Sequence, residues 1–111
     1  MSDIELAIIG GTGLYQIAAL DNVETLECDT VYGKPSAPVR IGYLGGKKVA
    51  FMARHGEGHS VPPHKVNYRA NLRCLKDLGI TKILAVNAVG GINDAFGPRV
   101  VAVPDQIIDY T

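Results

Sequence analysis

Residues 39–53 read VRIGYLGGKKVAFMA, two apolar segments separated by a pair of glycines, Gly45 and Gly46. Two glycines between strand-like segments are typical of a two-residue β-hairpin turn, because that turn needs positive φ angles. The sequence therefore predicts two antiparallel strands, Val39–Leu44 and Lys47–Ala53, and the rest of the fold can be worked outward from them.

Apolar segments on both sides of the hairpin predict further strands. They are Ile4–Ile9, Val23–Cys28, Lys82–Val89 and Val100–Val103. The third of these reads KILAVNAV and is apolar nearly throughout, which favours a strand covered on both faces.

Two segments have the pattern of helices. Leu14–Leu20 is expected to form a short one, and the apolar residues Val66, Ala70, Cys74 and Leu78 recur every four positions before Gly79. That spacing predicts one apolar helical face, ended by the glycine. A helix followed by a covered strand indicates the α/β class, with helices packed on the faces of a sheet.

Composition excludes several kinds of protein. With 111 residues, 47% hydrophobic and 20% charged, the chain suits one folded domain with a modest core. Lys+Arg and Asp+Glu both number 11, and this balance argues against nucleic acid or an anionic membrane as the main partner. No apolar run approaches the roughly 20 residues of a membrane span, and no signal peptide is expected at the start.

The two cysteines, Cys28 and Cys74, lie far apart and show no metal-binding spacing. We therefore expect reduced thiols and a cytoplasmic location.

Three polar clusters each follow a predicted strand: GGTG at 10–13, RHGEGH at 54–59 and NAVGG at 87–91. Ligands of open α/β sheets bind at the carboxyl ends of strands. If these strands are parallel, the three clusters converge on one pocket.

The residue types in the clusters suit an anion. GGTG offers free N–H groups and the Thr12 hydroxyl to a phosphate oxygen, although such a run is also typical of a plain tight turn. Arg54 can clamp an oxyanion through two parallel hydrogen bonds, and His55 can add a donor. The alternative is a solvated Arg–His pair, but the neighbouring Gly56 and Gly58 favour close backbone approach.

Other chemistries fit less well. His55, His59 and His64 lack a completing set of metal ligands, since Glu57 is the only nearby candidate, so we expect no metal. No Ser or Cys has the setting of a nucleophile. The residues alone therefore predict an anion clamp.

Asparagines are expected to supply hydrogen bonds around the clamp. Asn67 and Asn71 lie four apart near the start of the predicted helix and are expected to bond within the wall of the site; the alternative is a solvated helix face or a position near the cap. Asn87, followed by Ala88, is predicted inside the apolar strand, where a buried amide must find partners.

Four motifs together resemble one known family: AIIGGTGL, ARHGEGHSVPPHKVNYRANL, NAVGGI and VPDQIIDYT. They are similar to the methylthioadenosine and methylthioinosine phosphorylases of the purine nucleoside phosphorylase superfamily, from about Ile8 to Thr111. The resemblance implies a three-layer α/β sandwich with a central, mostly parallel or mixed sheet. Because family members are over twice as long, residues 1–111 would form the N-terminal part of a single domain, without its C-terminal half.

The resemblance also implies a reaction. Inorganic phosphate, a co-substrate, attacks the anomeric carbon of a 5′-methylthio purine nucleoside, with no metal or organic cofactor. The implied phosphate-binding residues are Thr12, Arg54, His55, Asn87 and Ala88, with His59 on the sugar side. The acid that protonates the purine is expected in the half not present here, so no catalytic residue is assigned to this chain.

Substrate and assembly follow from the same resemblance. Methylthioadenosine phosphorylases usually carry TAxGS where this chain has NAVGG, so S-methyl-5′-thioinosine is the leading substrate. Methylthioadenosine or a general purine nucleoside remains an alternative, and a homotrimer is expected at full length. Two other classes stay open: a nucleosidase that uses water, and a non-catalytic anion-binding or assembly fragment.

Overall fold

The computed structural model describes residues 3–11 and 20–110. Its regular elements in these ranges are β1 (Leu6–Gly10), β2 (Asp21–Leu26), β3 (Val39–Leu44), β4 (Lys47–Ala53), α1 (Tyr68–Asp77) and β5 (Ile83–Val86). Short 3₁₀ turns lie at Glu57–His59, Pro63–Lys65 and Asp94–Phe96. The helix predicted over Leu14–Leu20 falls outside the described residues, apart from Leu20. No helix in the described part of the chain is long and apolar enough to cross a membrane.

The strands form one mixed sheet in the order β2-β3-β4-β1-β5. β1 lies parallel to both β4 and β5, whereas β2, β3 and β4 are antiparallel neighbours. The α/β class with a mixed sheet, predicted from the sequence, is confirmed. Because β1, β4 and β5 are parallel, their carboxyl ends meet at one edge of the sheet.

The β3–β4 hairpin has the strand bounds predicted from residues 39–53. Gly45 and Gly46 have φ angles of 59° and 80°, both in the left-handed region that glycine tolerates. The turn chemistry therefore accounts for the hairpin and for its register.

Two core clusters lie on opposite faces of the sheet, because alternate strand residues point to opposite sides. On the α1 side, strand residues such as Ile9, Ile41 and Met52 pack with Cys74 and Leu75 of the helix. On the other side, the buried cluster comprises Ile8, Leu20, Ala37, Val49, Phe51 and Ala53.

Helix α1 has the apolar face that its four-residue periodicity predicts, with Ala70 and Cys74 buried. Its first turn is capped by Asn67, whose side-chain oxygen accepts a hydrogen bond from the Ala70 N–H at 3.1 Å. Gly79, at a φ of 80°, ends the helix and donates its N–H to the Lys76 carbonyl.

The C-terminal strands differ from the prediction. β5 covers Ile83–Val86 and not Lys82–Val89, and all four of its residues are exposed. It pairs with β1 alone among the described strands and is the edge strand of the described sheet. The strand predicted over Val100–Val103 is absent from the described residues, because no neighbouring strand pairs with that segment.

The expectation of separate, reduced thiols was wrong. Cys28 and Cys74 form a disulfide with a Cα–Cα distance of 6.0 Å. Cys28 follows β2, and Cys74 lies on the buried face of α1, so tertiary packing brings together two residues 46 positions apart. The spacing of the two cysteines in the sequence does not predict that they lie close together in the fold.

This disulfide is expected to stabilise the chain. A crosslink closing a loop of this length lowers the entropy of the unfolded state by an amount equivalent to about 4 kcal/mol, and measured effects are typically about 2–4 kcal/mol. We therefore expect Cys28→Ala to lower the free energy of unfolding by about 2–4 kcal/mol, measured by urea denaturation of the 111-residue chain. A reducing agent should lower the stability of the native chain and leave Cys28→Ala unaffected; equal midpoints for all samples would contradict the prediction.

Candidate functional site

Arg54 connects the ends of three parallel strands. Its backbone N–H donates to the carbonyl of Gly10 in β1 at 2.8 Å, and it directly follows β4. Its side-chain Nη1 donates to the carbonyl of Val86, the last residue of β5, at 3.4 Å. The predicted convergence of the three strand ends is therefore observed for the residues that the structure describes.

The guanidinium of Arg54 lies against Gly11, directly after β1. A Cβ atom built on Gly11 would stand 1.9 Å from Arg54 Nη2 and 3.0 Å from the Val86 carbonyl oxygen. The backbone at Gly11 and the Arg54 side chain are thus in direct contact at the edge where the strands end.

Arg54 takes part in none of the ion pairs among the described residues. Those pairs join Arg40 to Glu57, Lys48 to Asp3 and Arg73 to Asp77. The hydrogen bond from Lys48 lowers the pKa of Asp3, which keeps that carboxylate ionised and paired. The half-buried Arg54 charge has no described carboxylate partner, so its remaining donors can receive an anion.

His55 is 6% exposed and bonds to its own loop. Its Nδ1 lies 3.0 Å from the Val61 carbonyl oxygen, and the Val61 N–H donates back to the His55 carbonyl at 2.7 Å. Because a carbonyl only accepts, we assign the proton to Nδ1, which leaves Nε2 for a ligand. The ring of His59 lies 4.7 Å from that of His55.

The loop after Arg54 is held by short contacts. Gly56 has a φ of 79°, and a Cβ there would stand 2.9 Å from Ser60 Oγ and 3.1 Å from the Ser36 carbonyl oxygen. The Glu57 carboxylate pairs with Arg40 of β3. Gly56 therefore packs against Ser36 and Ser60, and the role of the two glycines around Arg54 and His55 stays a prediction.

Asn71 of α1 and Asn67, which caps that helix, both bond to the connection between β2 and β3; their role in the wall of the site stays a prediction. Asn71 is buried; its Oδ1 accepts from the Ser36 N–H at 2.8 Å, and its Nδ2 donates to Ser36 Oγ at 3.1 Å. Asn67 Nδ2 donates to the Tyr32 carbonyl at 2.8 Å. These bonds hold the segment 28–36, which we call the β2–β3 strap, against the helix.

A cavity of about 320 Å³ opens beside Arg54. Its lining is polar at Arg54, Asn71 and Asn87 and otherwise formed by Ile9, Tyr68, Leu72, Ile83 and Ala85. A mainly apolar hollow with a few polar groups at one end suits a ligand with an apolar body and an anionic group.

The structure brings together some of the predicted phosphate residues. Arg54 and Asn87 line the same cavity, and His55 is adjacent to Arg54 in the chain. Thr12 lies outside the described residues, and the phosphate-binding role of the whole set stays a prediction.

Asn87 and Ala88 do not lie inside a buried strand, contrary to the sequence prediction. Both are exposed and follow β5, because that strand ends at Val86. Ala88 is not among the residues that line the cavity.

Two contributions were missed by the sequence analysis. The contact between Gly11 and the Arg54 side chain joins residues far apart in the chain, and no local pattern predicts it. Leu72, 51% exposed, lies outside the buried helical face, and its spacing of four from the exposed Tyr68 was a usable signal of a second apolar strip.

Within residues 3–11 and 20–110, no three His, Cys, Asp or Glu side chains cluster closely enough to hold a metal ion.

Comparison with known proteins gives consistent results. Residues 5–111 match the sequence model of the phosphorylase superfamily. A probable S-methyl-5′-thioinosine phosphorylase of Xanthomonas campestris pv. campestris is 64% identical over 110 residues, which are 99% of this chain and 44% of the relative. An S-methyl-5′-thioadenosine phosphorylase of Hyperthermus butylicus is 50% identical over 107 residues, 96% of this chain and 39% of the relative.

A solved structure gives the same result for the fold. The crystal structure of a methylthioadenosine phosphorylase from an antarctic soil metagenomic library matches with a TM-score of 0.68 and 46% identity, over 77% of this chain and 30% of that one. The predicted fold class is thereby confirmed. The chain spans less than half the length of the curated relatives named above.

The strap contacts give a prediction about stability. Asn71→Ala leaves the partly buried Ser36 N–H and hydroxyl without their partner, so we expect a loss of about 1–3 kcal/mol in the free energy of unfolding, measured by urea denaturation. Ser36→Ala is the matched control, because it removes the hydroxyl bond and keeps the backbone one. A loss for Asn71→Ala no larger than that for Ser36→Ala would show that the backbone bond contributes nothing.

Proposed function

Because this chain belongs to the phosphorylase superfamily, we propose that it carries the phosphate-binding part of an enzyme that phosphorolyses a 5′-methylthio purine nucleoside. The products are the free purine base and S-methyl-5-thioribose 1-phosphate. The observation that carries the proposal is the Arg54 guanidinium, which has no described carboxylate partner and lies where three parallel strands end.

The geometry supports phosphate as the anion. Arg54 can present two parallel N–H donors to phosphate oxygens, and the backbone of Gly11, directly after β1, lies at the same edge. His55 accepts a phosphate proton at Nε2 when neutral and donates there when charged. Thr12, Asn87 and Ala88 complete the proposed set, with His59 on the sugar side.

In the proposed reaction a phosphate oxygen forms a bond to the anomeric carbon while the glycosidic bond to the purine nitrogen breaks. The electron pair of that bond leaves with the base, which takes up a proton. Positive charge develops on the sugar in the transition state, and a phosphate dianion fixed beside it provides electrostatic stabilisation. No metal or organic cofactor takes part. We expect the acid that protonates the base to lie outside residues 1–111.

S-methyl-5′-thioinosine is the leading substrate. The NAVGG segment at 87–91 departs from the TAxGS pattern of methylthioadenosine phosphorylases. The relative named for thioinosine is 64% identical, and the relative named for thioadenosine is 50% identical. S-methyl-5′-thioadenosine or a general purine nucleoside is the alternative substrate.

The family resemblance extends the proposal to a homotrimer in the cytoplasm. The Cys28–Cys74 disulfide is unusual for a reducing compartment, so alkylation of free thiols in intact cells tests the location. Sedimentation of the enzyme with its C-terminal part tests the trimer.

A non-catalytic assembly role is the second candidate, and the exposed apolar β5 strand favours it. It predicts that the isolated chain co-elutes with an intact phosphorylase subunit and adds no turnover. Gel filtration of the mixture separates this role from that of an enzyme part.

The affinity of the chain for inorganic phosphate directly tests the proposed role of Arg54. We expect Arg54→Ala to weaken inorganic phosphate binding by this chain about 10- to 150-fold, because a charge-assisted pair of hydrogen bonds contributes about 1.5–3 kcal/mol. Calorimetric titration with phosphate measures the change. Arg73→Ala is the charge-matched control, since Arg73 pairs with Asp77 and should leave the affinity unchanged. Equal affinities for Arg54→Ala and the native chain would count against the proposal.

Turnover tests the reaction. We expect a chimera that joins residues 1–111 to the C-terminal part of the Xanthomonas campestris relative to release hypoxanthine from S-methyl-5′-thioinosine only when phosphate is present. The rate with S-methyl-5′-thioadenosine should be lower. Release of the base without phosphate would instead identify a nucleosidase.

A further inference from the structure

We propose that Gly11 is a positioning residue for Arg54: the absence of a side chain at Gly11 provides the space in which the guanidinium lies. The inference deepens the proposed phosphate role of Arg54 and rests on it. Arg54 is the residue expected to contact the anion, and Gly11 is inferred to fix where its donors point.

The Arg54 guanidinium packs directly against Gly11. A Cβ at Gly11 would stand 1.9 Å from Nη2 and 2.7 Å from Cζ of Arg54, so the planar end of the side chain occupies the volume that any other residue would fill. On its other side the same guanidinium donates from Nη1 to the Val86 carbonyl at 3.4 Å. The group is therefore confined between Gly11 and the end of β5.

The backbone conformation at position 11 does not require a glycine. Gly11 is not among the described glycines with a positive φ, unlike Gly45, Gly46 and Gly56. An L-residue could adopt its backbone angles, so space for the Arg54 side chain is the constraint that the structure places on this position.

An alanine at position 11 would displace the Arg54 side chain without disrupting the fold. The new Cβ would also meet the Val86 carbonyl oxygen at 3.0 Å, but that atom belongs to β5, which is held by its pairing with β1. The flexible end of the Arg54 side chain can move away instead. Its displacement would remove the Val86 hydrogen bond and redirect the donors that face the proposed anion.

The test compares Gly11→Ala with Gly97→Ala. Gly97 lies outside the three polar clusters, has a negative φ, and an added Cβ there would meet nothing closer than the Asp94 carbonyl oxygen at 4.0 Å, so it is a matched control outside the contact. Two measurements are made on the 111-residue chain: the side-chain NMR signal of Arg54 without ligand, and the dissociation constant for inorganic phosphate.

We expect Gly11→Ala to shift and broaden the Arg54 side-chain signal and to raise the phosphate dissociation constant about tenfold or more, through loss of a charge-assisted contact. Gly97→Ala should change neither. Gly11→Ala should have no further effect in an Arg54→Ala background, because its effect passes through that side chain. Folding is checked by the backbone NMR spectrum.

The two hypotheses fail separately. An unchanged Arg54 signal in a folded Gly11→Ala variant overturns the positioning inference, whatever happens to phosphate. If Arg54→Ala leaves phosphate binding unchanged while Gly11→Ala still displaces the Arg54 signal, the positioning inference holds and the proposed phosphate role of Arg54 fails. Equal loss from Gly11→Ala in the native and Arg54→Ala backgrounds also overturns the inference.

Discussion

The parallel pairing of β1 with both β4 and β5 is the constraint on which the site depends. In its register Gly10 lies opposite Ala53 on one side and Val86 on the other, so three strands end level with one another. The next residues, Gly11, Arg54 and Asn87, then follow at the same edge, which is why the Arg54 side chain lies between Gly11 and the end of β5. A slip of one residue would turn each of those side chains to the opposite face of the sheet.

Features with a local cause could be predicted from the sequence. Two glycines determine the hairpin, and the four-residue spacing of Ala70 and Cys74 determines the buried face of α1. The grouping of polar clusters at strand ends followed from the expectation of parallel strands. Contacts between residues far apart in the sequence were not predicted. The Cys28–Cys74 disulfide depends on how the sheet and the helix pack, and the periodicity of the sequence does not reveal that packing.

The burial of β5 was predicted wrongly for an instructive reason. Its apolar sequence matches a strand covered on both faces, yet its residues are exposed in the part of the chain that the structure describes. An apolar pattern indicates that a strand is suited to burial, but it does not identify the segment that covers the strand. The relatives are more than twice as long as the segments they share with this chain.

The β2–β3 strap is attached to α1 at three places: the Cys28 disulfide, the Tyr32 carbonyl and the Ser36 backbone. Strap and helix therefore cannot open independently, and their amide protons should exchange with solvent as one cooperative unit. Because the Ser36 carbonyl also lies against Gly56, the loop that presents His55 borders this unit. Local opening of the helix would thus affect the loop that carries His55, part of the proposed anion site, without any strand of the sheet separating.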